Sequence, residues 1–74
     1  MTALPKGWRV EMLGIIAAVR FTSPAGSDLT WSDGAWTIGR GSVAMSARGV
    51  PAARTMAEAR RVGTAWIATC AVTR

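Results

Sequence analysis

The chain has 74 residues, half of them hydrophobic, and describes one small domain spanning residues 1–74. Nine Lys or Arg against four Asp or Glu give a net charge of +5, with no histidine and one cysteine, Cys70. This excludes an internal disulfide and the usual Cys/His zinc site, and it leaves no catalytic, metal or cofactor motif, so an enzyme is not expected.

The opening Met1–Trp8 lacks the apolar region of a signal peptide. The longest apolar run, Met12 to Val19, is too short to span a bilayer and is interrupted by Gly14. With one free thiol, these features predict a cytoplasmic protein and no membrane partner. Alternation over about residues 7–13 puts Trp8, Val10 and Met12 on one face and Arg9, Glu11 and Leu13 on the other, which predicts a strand. Residues from about 15–22 read as its antiparallel partner. A tight Leu13-Gly14 turn would set Met12 beside Ile15, Val10 beside Ala17 and Trp8 beside Val19, with Phe21 extending the apolar face.

Ser23-Pro24-Ala25-Gly26-Ser27 is a loop by composition. The next stretch, Leu29 to Ile38, carries the strongest local signal in the chain. Asp33-Gly34 tolerates the positive φ angles of a two-residue type I′ turn. Strands over about residues 28–32 and 35–40 then pair Ser32 with Ala35, Trp31 with Trp36 and Leu29 with Ile38, while Thr30 and Thr37 meet on the opposite face. Gly39-Arg40-Gly41-Ser42 marks a further break, its glycines read as turn residues and not as a phosphate loop. Val43–Ala47 fits either a short edge strand or an ordered loop.

A helix is predicted over about residues 53–70. Thr55 and Glu58 have capping-box spacing, with Glu58 reaching back to the Thr55 amide. Pro51 offers an alternative first turn. Met56, Ala59, Val62, Gly63, Trp66, Ile67 and Cys70 fall on one stripe, and Gly63 within it suggests close approach to the sheet. The expected fold is α+β, a small antiparallel sheet of three to four strands in two hairpins packed on one C-terminal helix. Its inner face would hold Trp8, Val10, Ile15, Val19, Leu29, Trp31, Trp36 and Ile38, and its outer face Arg9, Glu11, Arg20, Thr30, Thr37 and Ile16.

The charge is uneven. Residues 1–39 are neutral overall, whereas residues 40–74 carry six arginines against Glu58 alone. Arg40, Arg48, Arg54, Arg60 and Arg61 could form a ridge near the helix start that contacts nucleic-acid phosphates, with Arg9 and Arg20 as sheet contacts. A solvated basic face written by an arginine-rich genome accounts for the same enrichment. Tryptophans interleaved with arginines could stack bases. Their alternation instead directs them inward, with Trp8 and Trp36 nearest an edge. Cys70 reads as a buried structural thiol and the four carboxylates as turn, strand and cap residues. Met12 and Met56 fill core gaps. Val43, Met45 and Val50 form an apolar segment suited to an interface, and a homodimer through residues 42–50 or an edge strand is expected.

Leu4-Pro5-Lys6-Gly7-Trp8, the Trp hairpin, Arg48-Gly49-Val50-Pro51 and Thr55 to Trp66 together resemble small accessory proteins of actinobacterial phages. That resemblance implies a non-enzymatic role in the host cytoplasm. Strands followed by a helix are also similar to the arm-type DNA-binding domains of phage integrases and to AP2-like domains. Those read the major groove from the exposed sheet face, where this chain offers Arg9 and Arg20. The functional expectation is a small binding protein with nucleic acid as partner. The alternative is an inhibitor or modulator of a host or defence protein complex.

Overall fold

In a computed structural model, residues 3–40 and 42–72 are described, with side chains up to residue 69. Gly41, the Cys70 side chain and Arg74 lie outside these, and so do the expectations placed on them. The elements are β1 (Arg9–Leu13), a single 3₁₀ turn (Gly14–Ile16), β2 (Ala18–Thr22), β3 (Ser27–Ser32), β4 (Ala35–Arg40), β5 (Val43–Ser46) and α1 (Met56–Val72). The fold is α+β. The sheet is an antiparallel meander in the order β1-β2-β3-β4-β5, with α1 packed over its centre, against β2 and β3.

The β3–β4 hairpin has the register expected of its turn. Ser32 faces Ala35, Trp31 faces Trp36, Thr30 faces Thr37 and Leu29 faces Ile38. Asp33 and Gly34 hold φ of 50° and 81°, the left-handed pair that a type I′ turn requires.

The β1–β2 hairpin is paired differently. Val10 faces Phe21, Met12 faces Val19 and Leu13 faces Ala18. A two-residue turn would force Leu13 to positive φ, but it stays at −97°, and the chain turns through the 3₁₀ segment with Ala17 at φ 50°. The shift relative to the expected pairing is an even number of residues, so each strand keeps its inner face. The shift moves Phe21 into full burial beneath the helix. It also carries Ile15 out of the expected core to complete exposure, with Ile16 62% exposed in the same turn. Trp8 precedes β1, because Gly7 turns at φ +91° against Pro24, yet it still packs half-buried on the core. Trp36, expected near an edge, is buried.

A fifth strand corrects the expected count of three to four. Val43–Ser46 pairs with β4, placing Met45 opposite Ile38 and Ala44 opposite Gly39. All four of its residues are exposed, so no burial alternation marks it as a strand. Gly39 and Arg40 belong to β4 and not to a turn. A Cβ on Gly39 would sit 2.7 Å from the Asp28 carboxylate, which lies over it on the outer face.

Helix α1 starts at Met56, five residues after Pro51. The Glu58 amide donates to Thr55 Oγ1 at 3.1 Å, as a cap requires. The reciprocal bond goes one residue further back than expected, with the Arg54 amide donating to Glu58 Oε1 at 3.1 Å. Ala59, Gly63 and Ile67 are buried against the sheet, flanked by half-buried Met56, Val62 and Trp66. Gly63 is needed for contact. A Cβ there would strike the edge of the Phe21 ring and lie 3.1 Å from Trp36 Cη2.

Gly63→Ala sets two effects against each other. Alanine gains about 1 kcal/mol of helix propensity, while overpacking costs about 1–3 kcal/mol. The overlap involves a fully buried ring, so the cost should prevail. Thermal unfolding by circular dichroism should show a melting point lower by several degrees. An equal or higher melting point would mean the Phe21 ring yields freely.

Candidate nucleic-acid interface

The fold sorts the charges onto two sides. On the outer sheet face, strand parity places Arg9, Glu11, Arg20 and Asp28 among Thr22, Thr30, Thr37, Gly39, Ala44 and Ser46. Glu11 lies directly across from Arg20. Two arginines are therefore balanced in number by two carboxylates, and among the described residues this face carries no aromatic residue and no excess charge.

The helix side differs. Arg60 and Arg61 are exposed on α1, Arg48 and Arg54 are exposed on the segment leading into it, and Arg40 has the helix-side parity of β4. Their one carboxylate counterpart on this side is Glu58, which is engaged in the helix cap. Among the described residues, none of these guanidinium groups makes an ion pair or a side-chain hydrogen bond. Coulomb repulsion between exposed arginines is screened by solvent, so these side chains are tolerated without partners.

Two tryptophans hold the segment that carries Arg48 and Arg54. Residues 47–55 cross from the sheet edge to the helix start without regular structure. The Trp36 indole N–H donates to the Pro51 carbonyl at 3.1 Å, and that of Trp31 to the Ala53 carbonyl at 3.2 Å. Ala47, Val50 and Ala53 pack on the core beside them. The inward face of this segment is thereby anchored, and its arginines are left outside.

The helix lies in a trough between this segment and the N-terminal residues. On the N-terminal side, Leu4, Val10, Ala57 and Thr64 line a groove of about 600 Å³ edged by Arg60 and Arg61. On the other side, Pro51, Val62, Ala65 and Trp66 line a cavity of about 420 Å³, which Arg61 also borders. Arg61 thus stands between two depressions with apolar walls.

The residues singled out from sequence divide accordingly. Arg40, Arg48, Arg54, Arg60 and Arg61 share the helix side, whereas Arg9 and Arg20 lie on the opposite face. Val43 and Met45 are exposed on the open edge of the sheet, at 59% and 63%, while Val50 is half-buried against the core. Met56 packs on the core as expected, but Met12 is largely exposed on the edge strand β1. The helical stripe assigned Trp66 to the core. Its half-buried position on a cavity depends on how far residues 47–55 stand from the helix, which no periodicity records.

Among the described residues, no helix is long and apolar enough to cross a membrane, and no group of His, Cys, Asp or Glu is placed to hold a metal ion. No protein-family model matches the chain, and neither curated proteins nor solved structures yield a match.

The tryptophan anchors can be tested directly. Trp31→Phe keeps a ring in the core but leaves the Ala53 carbonyl without its donor, at a cost of about 1–3 kcal/mol. The urea midpoint should fall while the slope of the transition stays the same. An unchanged midpoint would show that this bond does not hold the segment.

Proposed function

We propose that this protein is a small, non-enzymatic nucleic-acid-binding protein that grips phosphates with the arginines of its helix side. One observation carries the reading: five arginines share that side without internal partners, against one carboxylate already used in a cap. Arginine's planar fork suits phosphate, and clustered cations gain affinity by releasing counterions from the nucleic acid. Arg54, Arg60 and Arg61 make the central contacts, with Arg40 and Arg48 extending them. The outer sheet face is charge-balanced and lacks aromatics, so reading of the major groove by Arg9 and Arg20 is not part of this proposal. A cytoplasmic accessory role of the phage type suits such a protein and belongs to the same proposal.

Mobility shifts with duplex DNA across a salt series test it. Affinity should fall steeply with salt, with a log–log slope of about −0.9 per phosphate neutralised. Replacing Arg54, Arg60 and Arg61 together by alanine should flatten that slope by about 2–3. The Arg9→Ala, Arg20→Ala double variant should change it far less. Absence of any complex at low salt would overturn the proposal.

The open β5 edge favours a second reading, contact with another protein chain. Val43 and Met45 are exposed beside unpaired backbone, an arrangement that invites strand pairing with a second copy or with a host or defence complex. If the partner is a second copy, Met45→Asp should shift the protein toward monomer in light scattering. A monomeric unmodified protein at high micromolar concentration would remove the dimer. Pull-down from nuclease-treated host lysate then tests for a defined protein partner.

A further inference from the structure

The tryptophans are not equivalent. The indole N–H groups of Trp31 and Trp36 are bound to backbone carbonyls and their rings are buried. Trp66 is half-buried, its indole N–H has no protein partner among the described residues, and its side chain lines the cavity between α1 and residues 47–55. Pro51, Val62 and Ala65 supply further apolar wall, and Arg61 borders the same opening. An aromatic surface and an unpaired guanidinium therefore meet at one cavity of about 420 Å³.

We propose that this cavity is a base-stacking subsite, in which one unpaired base lies against Trp66 while Arg61 holds the adjoining phosphate. The proposal rests on the nucleic-acid reading of the helix-side arginines and adds to it a preference for single strands. In a duplex the base faces are stacked and inaccessible, so a duplex can use the arginines but not the cavity. A single strand uses both. Stacking on an aromatic ring accepts any base, so the subsite confers strand selectivity without sequence selectivity. The apolar walls favour the base, and Arg61 at the rim suits the one phosphate that accompanies it. Trp8 and Trp66 are both half-buried and both pack on the core, but Trp8 does not line this cavity.

The experiment compares a labelled oligodeoxythymidylate of about 15 nucleotides, the upper end of what one small module occupies, with a duplex of the same length. Wild-type protein should bind the single strand more tightly. Trp66→Leu should lower the ratio of single-strand to duplex affinity by roughly 5- to 150-fold, which corresponds to about 1–3 kcal/mol of stacking. Trp66→Phe provides a readout should the leucine variant fold poorly. Oligodeoxythymidylate should quench the wild-type tryptophan fluorescence, and most of that quenching should be absent from the phenylalanine variant, whose ring still stacks and keeps most of the affinity. Binding of both nucleic acids with an unchanged ratio in Trp66→Leu, or full quenching in Trp66→Phe, would overturn the subsite while leaving the arginine reading intact. Failure of wild-type protein to bind either nucleic acid would overturn both. Displacement of the oligonucleotide by an acidic peptide equally from wild type and Trp66→Leu would show that only the arginines are engaged, and would overturn the subsite as well.

Discussion

The cross-strand pair of Trp31 and Trp36 is the constraint on which most of this structure depends. One pair, Ser32 and Ala35, separates it from the Asp33-Gly34 turn, so the local chemistry of two residues places two large rings side by side on the inner face of the sheet. In a chain of this size such rings provide much of the apolar area that can be buried. Each also carries a hydrogen-bond donor that burial would leave costly without a partner. The carbonyls of Pro51 and Ala53 supply the partners, and satisfying them draws residues 47–55 across the core. The outward placement of Arg48 and Arg54 follows from that attachment.

The helix is narrow where it meets the sheet. Gly63 faces Phe21 and Trp36, and Ala59 one turn earlier is fully buried, so the backbone of α1 can approach the sheet closely. Phe21 and Trp36 are themselves stacked, with ring centroids 6.3 Å apart. A slim helix lying low between the N-terminal residues and the 47–55 segment leaves depressions along both flanks. Arg61 borders each of them. These depressions are therefore consequences of packing geometry, with Arg60 and Arg61 on the solvent side of the helix.

The two sides of the molecule consequently differ in chemistry. The outer sheet face balances its charges in number and presents mostly threonines, serines and small residues, which suit exposure to water. The helix side combines unpaired cations with apolar recesses. The exposed residues of β5 and of the turn between β1 and β2 form separate apolar regions at the sheet periphery, outside the reach of the helix. One helix over the centre of a five-stranded meander therefore leaves some hydrophobic residues uncovered.

Much of this architecture was legible in the residues themselves. The register of β3 and β4, the inner faces of β1 and β2, the cap at Thr55 and the close approach at Gly63 all rest on interactions between residues near in sequence, or on steric demands of single residue types. Turn dihedrals, strand alternation and helical spacing express those directly. The β1–β2 register was not legible, because Leu13-Gly14 has no strong turn preference, and the burial of Phe21 under the helix decided where the strands align. Nor was β5, whose exposure on every residue erases alternation and whose pairing is supplied by β4. The cavity at Trp66 and the exposed placement of Arg48 and Arg54 belong to the same class. They depend on where residues 47–55 come to rest, and only the donors of Trp31 and Trp36, reaching 22 and 15 residues along the chain, decide that.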